Sequence, residues 1–396
     1  MVRVVACMLA ASLAMAQTQA VSNTQIAASA QNGFGLKLLT AITAADPRRN
    51  VFVSPSSVFL ALGMLELGAA GETRASVRRT LQVPPEVSES DLHNSTAALS
   101  QALRQARPGV EISIANAVWA DRHISLAADY VARCRTLYQA DAETLDFHSP
   151  GAADTINAWV MGNTGGKIDN LVSERAVAAS DTILTNAVYF KGKWNLPFDP
   201  DRTGQAPFHL ADQSLRTVAL MHRSGLRNAY RAGAGYEAAI LPYEGASLVA
   251  AVILPAAGKQ LEEVMAQVDL AGLLAEGEAS ELDLRLPRFT LDYSVSLKPA
   301  LLRMGMGIAF QFPGAEFAPM GSPLFYVGDV LHKTRLEVDE QGTVAAAATA
   351  ILVPAGAAMR PVTVPQKVMV VDRPFGLLIC DRSSRAVLFA GVIYEP

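Results

Sequence analysis

Apolar residues recur at helical spacing through the N-terminal part of the chain and at strand spacing through most of the remainder. Over 23–46, Phe34, Leu36, Leu38, Leu39 and Ile42 fall close to one face, which predicts an amphipathic helix. A short apolar strand, Val51-Phe52-Val53, then meets Ser54-Pro55. There serine caps and proline starts a second helix, which runs through Met64-Leu65-Glu66-Leu67 to Gly68. Two more helices follow, over 72–81 and 88–105. Val110 to Trp119 alternates and predicts a strand; 126–139 and 151–162 are helical, with 142–147 extended between them. Thr182 to Phe190 is apolar on both faces, as a buried strand should be. Residues 205–255 predict consecutive strands broken at turns such as Arg231-Ala232-Gly233-Ala234-Gly235 and Tyr243-Glu244-Gly245. A helix over 261–274, an alternating strand over 281–287, a helix near 294–305 and closing strands at 376–380 and 386–394 complete the pattern. Helices first and strands later, with no repeat and no linker, predict one α+β domain.

One stretch stands apart. His332 to Asp339 alternates long charged residues with apolar or small ones, so a strand runs into Glu340. After it come Gly342-Thr343-Val344-Ala345-Ala346-Ala347-Ala348-Thr349-Ala350, all small or uncharged. A backbone so sparsely clothed can pass between two others without a clash, and threonine and valine keep some extended preference. Alanine's helix propensity leaves a helix as the alternative, and a flexible linker is another. If the segment is a strand, Thr343, Ala345, Ala347, Thr349 and Ile351 share one face, and Val344, Ala346, Ala348, Ala350 and Leu352 the other. Neither face carries a charge that burial would penalise. Thr343 itself is read as an exposed strand end.

Composition narrows the setting. Of 396 residues, 51% are hydrophobic and 18% charged, which suits a large core rather than disorder. A formal net charge of −4 gives no affinity for nucleic acid or anionic membranes. Arg3, the apolar run Val4 to Ala14 and Ala14-Met15-Ala16 form a secretory signal pattern over 1–20, with Thr18-Gln19-Ala20 as a second cut site. Cys7 has too little apolar chain before it for a lipoprotein box. A soluble domain over 21–396, secreted or periplasmic, is therefore expected. Cys134 and Cys380 remain after cleavage; free buried cysteines are expected, a disulfide being the alternative. The histidines lack ligand spacing, so no metal and no cofactor is expected. Gly-x-Ser-x-Gly, Ser-x-x-Lys and His-Glu-x-x-His are all missing, and Gly162 to Lys167 fails as a phosphate loop because Ile168 stands where Ser or Thr is needed. Those glycines read as a helix end and turn.

The 340–350 stretch resembles the reactive-loop hinge of the serpins, the loop-inserting protease inhibitors. Further segments are similar to the same family in the same order: Asn50 to Ser57, Ile156-Asn157, Thr164-Gly165-Gly166-Lys167-Ile168, Thr185-Asn186-Ala187-Val188-Tyr189-Phe190-Lys191-Gly192-Lys193-Trp194 with Pro197-Phe198, Asp372-Arg373-Pro374-Phe375 and Leu388 to Val392. The resemblance spans nearly the whole domain. It implies a serpin fold, about eight to nine helices on three β-sheets, with an exposed reactive loop over about 340–362.

The resemblance also implies an activity. A serine protease attacks the loop, forms a covalent acyl-enzyme and is trapped as the cut loop enters the main sheet; cysteine proteases are a second target class, and the inhibitor acts as a monomer. The implied hinge is Glu340, Gly342, Thr343, Ala345, Ala346, Ala347, Ala348 and Thr349. Ser54, Ser57, Asn186 and His332 match a hydrogen-bonded cluster beneath the centre of the main sheet, and Trp194 the tryptophan where the loop first enters. Taken singly, each of these also reads as an ordinary buried polar or aromatic group. Counting from Glu340 puts the reactive bond at Gly356–Ala357, with Ala355, Met359 and Arg360 as alternatives, since the loop to Pro374 is longer than the family spacing. Val353-Pro354-Ala355 suits elastase-like or subtilisin-like enzymes; Pro361 disfavours cutting at Arg360. The competing expectation is a non-inhibitory chaperone, carrier or storage protein. Such family members carry bulky, charged or proline residues in the hinge, and this chain does not. Arg104 and Arg107 alone are basic over 88–107, so no heparin-type site is indicated.

Overall fold

The computed structural model describes residues 27–277, 279–343 and 366–396. The chain opens with α1 (27–43), β1 (Val51–Val53), α2 (Pro55–Gly68), α3 (Gly71–Thr80) and α4 (Glu89–Arg104). It continues through β2 (Val110–Asp121), β3 (Ser125–Leu126), α5 (Ala128–Arg133), β4 (Asp141–Leu145), α6 (Ala152–Asn163), α7 (Glu174–Ala178) and β5 (Thr182–Lys193). Five strands follow: β6 (Gly204–His209), β7 (Leu215–Arg227), β8 (Tyr230–Gly233), β9 (Tyr236–Pro242) and β10 (Leu248–Pro255). Then come α8 (Leu261–Ala266), α9 (Leu270–Leu274), β11 (Glu281–Pro287), β12 (Phe289–Ser296) and α10 (Lys298–Arg303). The chain closes with β13 (Gly321–Ser322), β14 (Val327–Val338), β15 (Gly342–Thr343), β16 (Gln366–Val370), β17 (Phe375–Asp381) and β18 (Val387–Ile393).

Three sheets carry the architecture. The main sheet runs β12-β14-β5-β2-β4, with β15 added at one end of β5. A second sheet, β1-β18-β17-β10-β9-β8, and a third, β16-β11-β7-β6, complete the set beside a two-stranded β13-β3 ribbon. The second sheet is the interior of the molecule: all of β10, β17 and β18 is buried. Helix α2 fits the same logic. It is apolar except for Ser56 and Ser57 at its start and one carboxylate near its end, and is wholly buried, touching β2, β5 and β18. On the opposite face of the main sheet, Ile156 and Val160 of α6 pack with Trp119, Ile183, Ala187 and Tyr189.

At the centre of the main sheet, β14 and β5 are parallel neighbours, with His332 level with Asn186. A strand entering between them is antiparallel to both. The segment that follows α6 is tied to β14 at this junction. Asn157 fixes the chain after α6, donating to Val172 O at 2.9 Å and accepting from Leu171 N at 2.8 Å. Lys333 Nζ of β14 donates to Asp169 O at 2.9 Å in the same segment.

Several boundaries differ from the sequence expectation. Ten helices occur among the described residues, against eight to nine expected, because short helices replace longer ones. The 261–274 stretch is two helices, since Asp269 caps α9 by accepting from Ala271 N. The 126–139 stretch is β3, α5 and one wide π-type turn, Cys134–Tyr138. Residues 294–296 belong to β12, which pairs β14 along its whole length; Pro299 then sets the start of α10. β16 pairs β11 in parallel and had no periodic signal of its own. Gly165 and Gly166 do form a turn after α6, both at positive φ (60° and 74°). Cys134 and Cys380 are free and buried, as expected.

Candidate functional site

The expected polar cluster is assembled under the middle of the main sheet. Ser54 caps α2, accepting from Ser57 N, and its hydroxyl donates to Leu388 O at 2.8 Å. Its backbone N–H donates to His332 Nε2 at 3.0 Å. That nitrogen is therefore the acceptor, and the ring proton sits on Nδ1, facing Asn186 Oδ1. Asn186 Nδ2 in turn donates to Ser57 Oγ and Asn116 Oδ1. The chain of bonds thus joins α2, β14, β5 and β2 in one place. Burial holds the His332 imidazole down to about 3, outweighing the hydrogen bond to Asn186, so the ring is neutral at any ordinary pH.

Asn116 is the member that sequence reasoning missed. It stands directly across from Asn186 and is 1% exposed. The available signal was a lone amide on a strand face otherwise made of Ile112, Ile114 and Val118.

About 20 Å away, six residues further along β5, the hinge begins. Trp194 grips the chain that leaves β14: its backbone N–H donates to Gln341 O at 3.0 Å and its indole Nε1 to Asp339 O at 2.9 Å. The indole stacks on Tyr243 with ring centroids 4.7 Å apart. Glu340 is nearly buried; its carboxylate accepts from Thr203 Oγ1 at 2.8 Å and faces Arg288 at 3.7 Å. Asp339 Oδ1 accepts from Gln341 N and Gly342 N, shaping the turn. Gly342 and Thr343 are then hydrogen-bonded to β5 as β15, opposite Lys193 and Gly192. A Cβ on Gly342 would lie 2.1 Å from Gly192 O, so only glycine fits this approach.

Thr343 corrects an expectation. It is not an exposed strand end: it is fully buried, and its hydroxyl meets Tyr243 Oη at 3.0 Å. Gly342 and Thr343 are already paired to β5 at the end of its junction with β14. Tyr243, Thr203 and Arg288 complete this end of the site; all come from distant segments whose proximity no local pattern reveals. Ala345, Ala346, Ala347, Ala348 and Thr349 of the expected hinge, and the bond candidates Ala355, Gly356, Ala357, Met359 and Arg360, lie outside the described residues, as does the expected 1–20 leader. Among the described residues no group of three or more His, Cys, Asp or Glu is placed to hold a metal ion, and no helix is long and apolar enough to cross a membrane.

A sheet with a parallel central junction, polar groups bridging it and a hinge already seated at its end defines an architecture, and comparison identifies it. The serpin family model, serine protease inhibitor, matches residues 29–396, and the chain belongs to that family. Leukocyte elastase inhibitor A of Mus musculus is 31% identical over 382 residues, covering 93% of this chain and 99% of that protein. The leukocyte elastase inhibitor of Homo sapiens is 30% identical over 382 residues, with the same 93% and 99% coverage. Among solved structures, human thyroxine-binding globulin complexed with thyroxine has a TM-score of 0.85 at 26% identity, covering 94% of this chain and 99% of that one. The thermophilic serpin tengpin in its native state has a TM-score of 0.82 at 25% identity, covering 93% of each chain.

Proposed function

We propose that this serpin is a single-use inhibitor of serine endopeptidases, and that elastase-like or subtilisin-like enzymes are its targets. The observation that carries the reading is the seated hinge: β15 is antiparallel to β5 and pairs at Gly342–Lys193 and Thr343–Gly192. Each further step along the hinge is one step back along β5. Ala345 then meets Phe190, Ala347 meets Val188, Thr349 meets Asn186, Ile351 meets Leu184, and Val353 reaches Thr182 at the far end of β5. Alanines fall opposite large core residues, and the threonine falls opposite the polar cluster, at the level of His332. On that register its hydroxyl would take up partners that part when β5 and β14 separate.

About ten new strand residues, each with a net hydrogen-bond gain of 0.5–1.5 kcal/mol, supply roughly 5–15 kcal/mol. That is comparable to the whole stability of a folded domain, enough to distort an enzyme tethered to the loop. The covalent step is the protease's own: its serine forms an ester with the residue before the cut, and insertion withdraws that ester before water hydrolyses it. Val353 at the end of β5 leaves Pro354-Ala355-Gly356 just beyond, which supports Gly356–Ala357 as the reactive bond. We also read residues 1–20 as a removable leader and the domain as exported; the N-terminal sequence of the mature protein tests this.

Incubation with elastase-, subtilisin-, trypsin- and papain-like enzymes is the test. The expected result is an SDS-resistant complex with the first two and a released peptide beginning between Gly356 and Met359. A peptide beginning at Pro361, with trypsin the sole target, would place the bond at Arg360. A carrier role is the second reading, favoured by the likeness to thyroxine-binding globulin. Clean cleavage by every enzyme with no complex would support it instead.

A further inference from the structure

α2 has one charge in fourteen residues, and that charge is fully buried. Glu66 lies near its C-terminal end, the opposite end from Ser54 and Ser57. Its Oε1 meets Arg78 NH1 of α3 at 3.1 Å. Its Oε2 lies 3.0 Å from His93 Nε2 of α4, a close contact in which neither atom makes a hydrogen bond, and Glu89 Oε1 stands 3.8 Å from the same nitrogen. His93 Nδ1 is 2.6 Å from the hydroxyl of Tyr138, in the turn after α5. Glu89 of α4 closes the group, pairing with Arg74 of α3 at 2.6 Å and Arg133 of α5 at 3.3 Å. Burying a carboxylate among apolar neighbours costs several kcal/mol unless partners compensate, and well-packed hydrophobic residues would often serve stability as well. Stability alone therefore does not explain the arrangement.

Topology suggests what does. For a strand to enter between β5 and β14, those two must move from about 4.8 Å apart to twice that. β2 and β4 are paired, in order, to β5 on the side away from β14. α4 runs directly into β2, and the Cys134–Tyr138 turn directly into β4. His93 and Tyr138 thus belong to the half of the sheet that shifts. α2 follows β1, which is paired to β18 in the second sheet, and Ser54 Oγ is bonded to Leu388 O of β18, so α2 is anchored on that sheet; its serines reach both His332 on β14 and Asn186 on β5. The Glu66–His93–Tyr138 chain therefore ties the shifting half to a helix anchored on the second sheet.

We propose that Glu66 is a positioning residue for loop insertion. Through His93 and Tyr138 it forms a second brake on sheet opening, at the far end of α2 from the serine–histidine–asparagine cluster. The proposal rests on the insertion mechanism proposed above. While the brake holds, the uncut inhibitor keeps its loop out; once a protease is attached and insertion proceeds, the contact is broken and contributes nothing to the inserted form.

The test is Glu66→Gln in the full chain, with Glu72→Gln, in an exposed ion pair with Arg79, as control. Urea-unfolding midpoints of intact and loop-cleaved protein are measured, together with the rate at which the uncut inhibitor spontaneously loses activity. The brake predicts a lower midpoint for intact Glu66→Gln, an unchanged midpoint after cleavage, and spontaneous inactivation about tenfold faster, as a 1.4 kcal/mol lower insertion barrier gives. The control should match the parent throughout. Equal midpoint losses in both forms, with an unchanged inactivation rate, would show an ordinary core role and overturn the proposal. If Glu66→Gln does not fold, His93→Gln decides by the same readouts. A parent midpoint that does not rise on cleavage would refute the insertion mechanism first, and the brake with it.

Discussion

At the scale of single residues, the cluster under the main sheet is organised by one neutral histidine. His332 donates from Nδ1 and accepts at Nε2, and burial prevents it from taking a second proton until about pH 3. The unfolded chain takes that proton near pH 6.5. Between these values the unfolded state binds more protons, so stability falls as pH falls, by about 1.4 kcal/mol per pH unit from this group alone. His332→Gln should therefore be less stable at pH 7 yet lose less stability between pH 6.5 and 4 than the parent. Urea unfolding at several pH values measures this; parallel slopes for the two proteins would mean that His332 is not the group excluded from protonation. Ser54, Ser57, Asn186, His332 and Trp194 were legible in the sequence because each sits in a recognisable segment. Asn116 and Tyr243 were not, because a single amide in a strand or a single tyrosine before a turn has many ordinary explanations. Thr343 was placed but misjudged: nothing local shows that its backbone is already paired to Gly192.

At the scale of elements, the two-residue β15 fixes everything that follows in the hinge. Because pairing fixes register, and side chains alternate, the register of β15 would give each later residue a face in the inserted form proposed above. On the inserted register proposed above, Ala347 would fall on the core face opposite Val188. Ala347→Arg should leave the intact protein as stable as the parent and be cut at the same bond. It should then release active enzyme, since an unpaired cation buried there costs several kcal/mol while acyl-enzyme hydrolysis continues. The stoichiometry of inhibition measures the effect, and a value equal to the parent's would remove the register argument. Thr343→Arg, by contrast, should destabilise the intact protein, because the site is filled before any cleavage. The pattern of apolar positions found most elements but not their breaks. The 261–274 helix is interrupted by a capping aspartate, and 294–296 stays in a strand because β14 offers continuous pairing, a tertiary partner that periodicity cannot see.

At the scale of the whole molecule, the α+β order and the family were legible, since the motifs span the chain. The relation between its two central strands was not. Nothing in the sequence of β5 or β14 says that they are neighbours, or that they are parallel. In the mechanism proposed above, that junction is where a third strand would enter, antiparallel to both and bonded on each side. The central claim is that the described fold is metastable against a form with the loop inserted along β5. The most direct test is to cleave the loop between 355 and 359, with the fragments left associated, and compare thermal unfolding before and after. The account predicts a large rise in melting temperature, where a nick in an ordinary domain lowers it or leaves it level. An unchanged or lower melting temperature would contradict insertion, and with it the mechanism of inhibition proposed here.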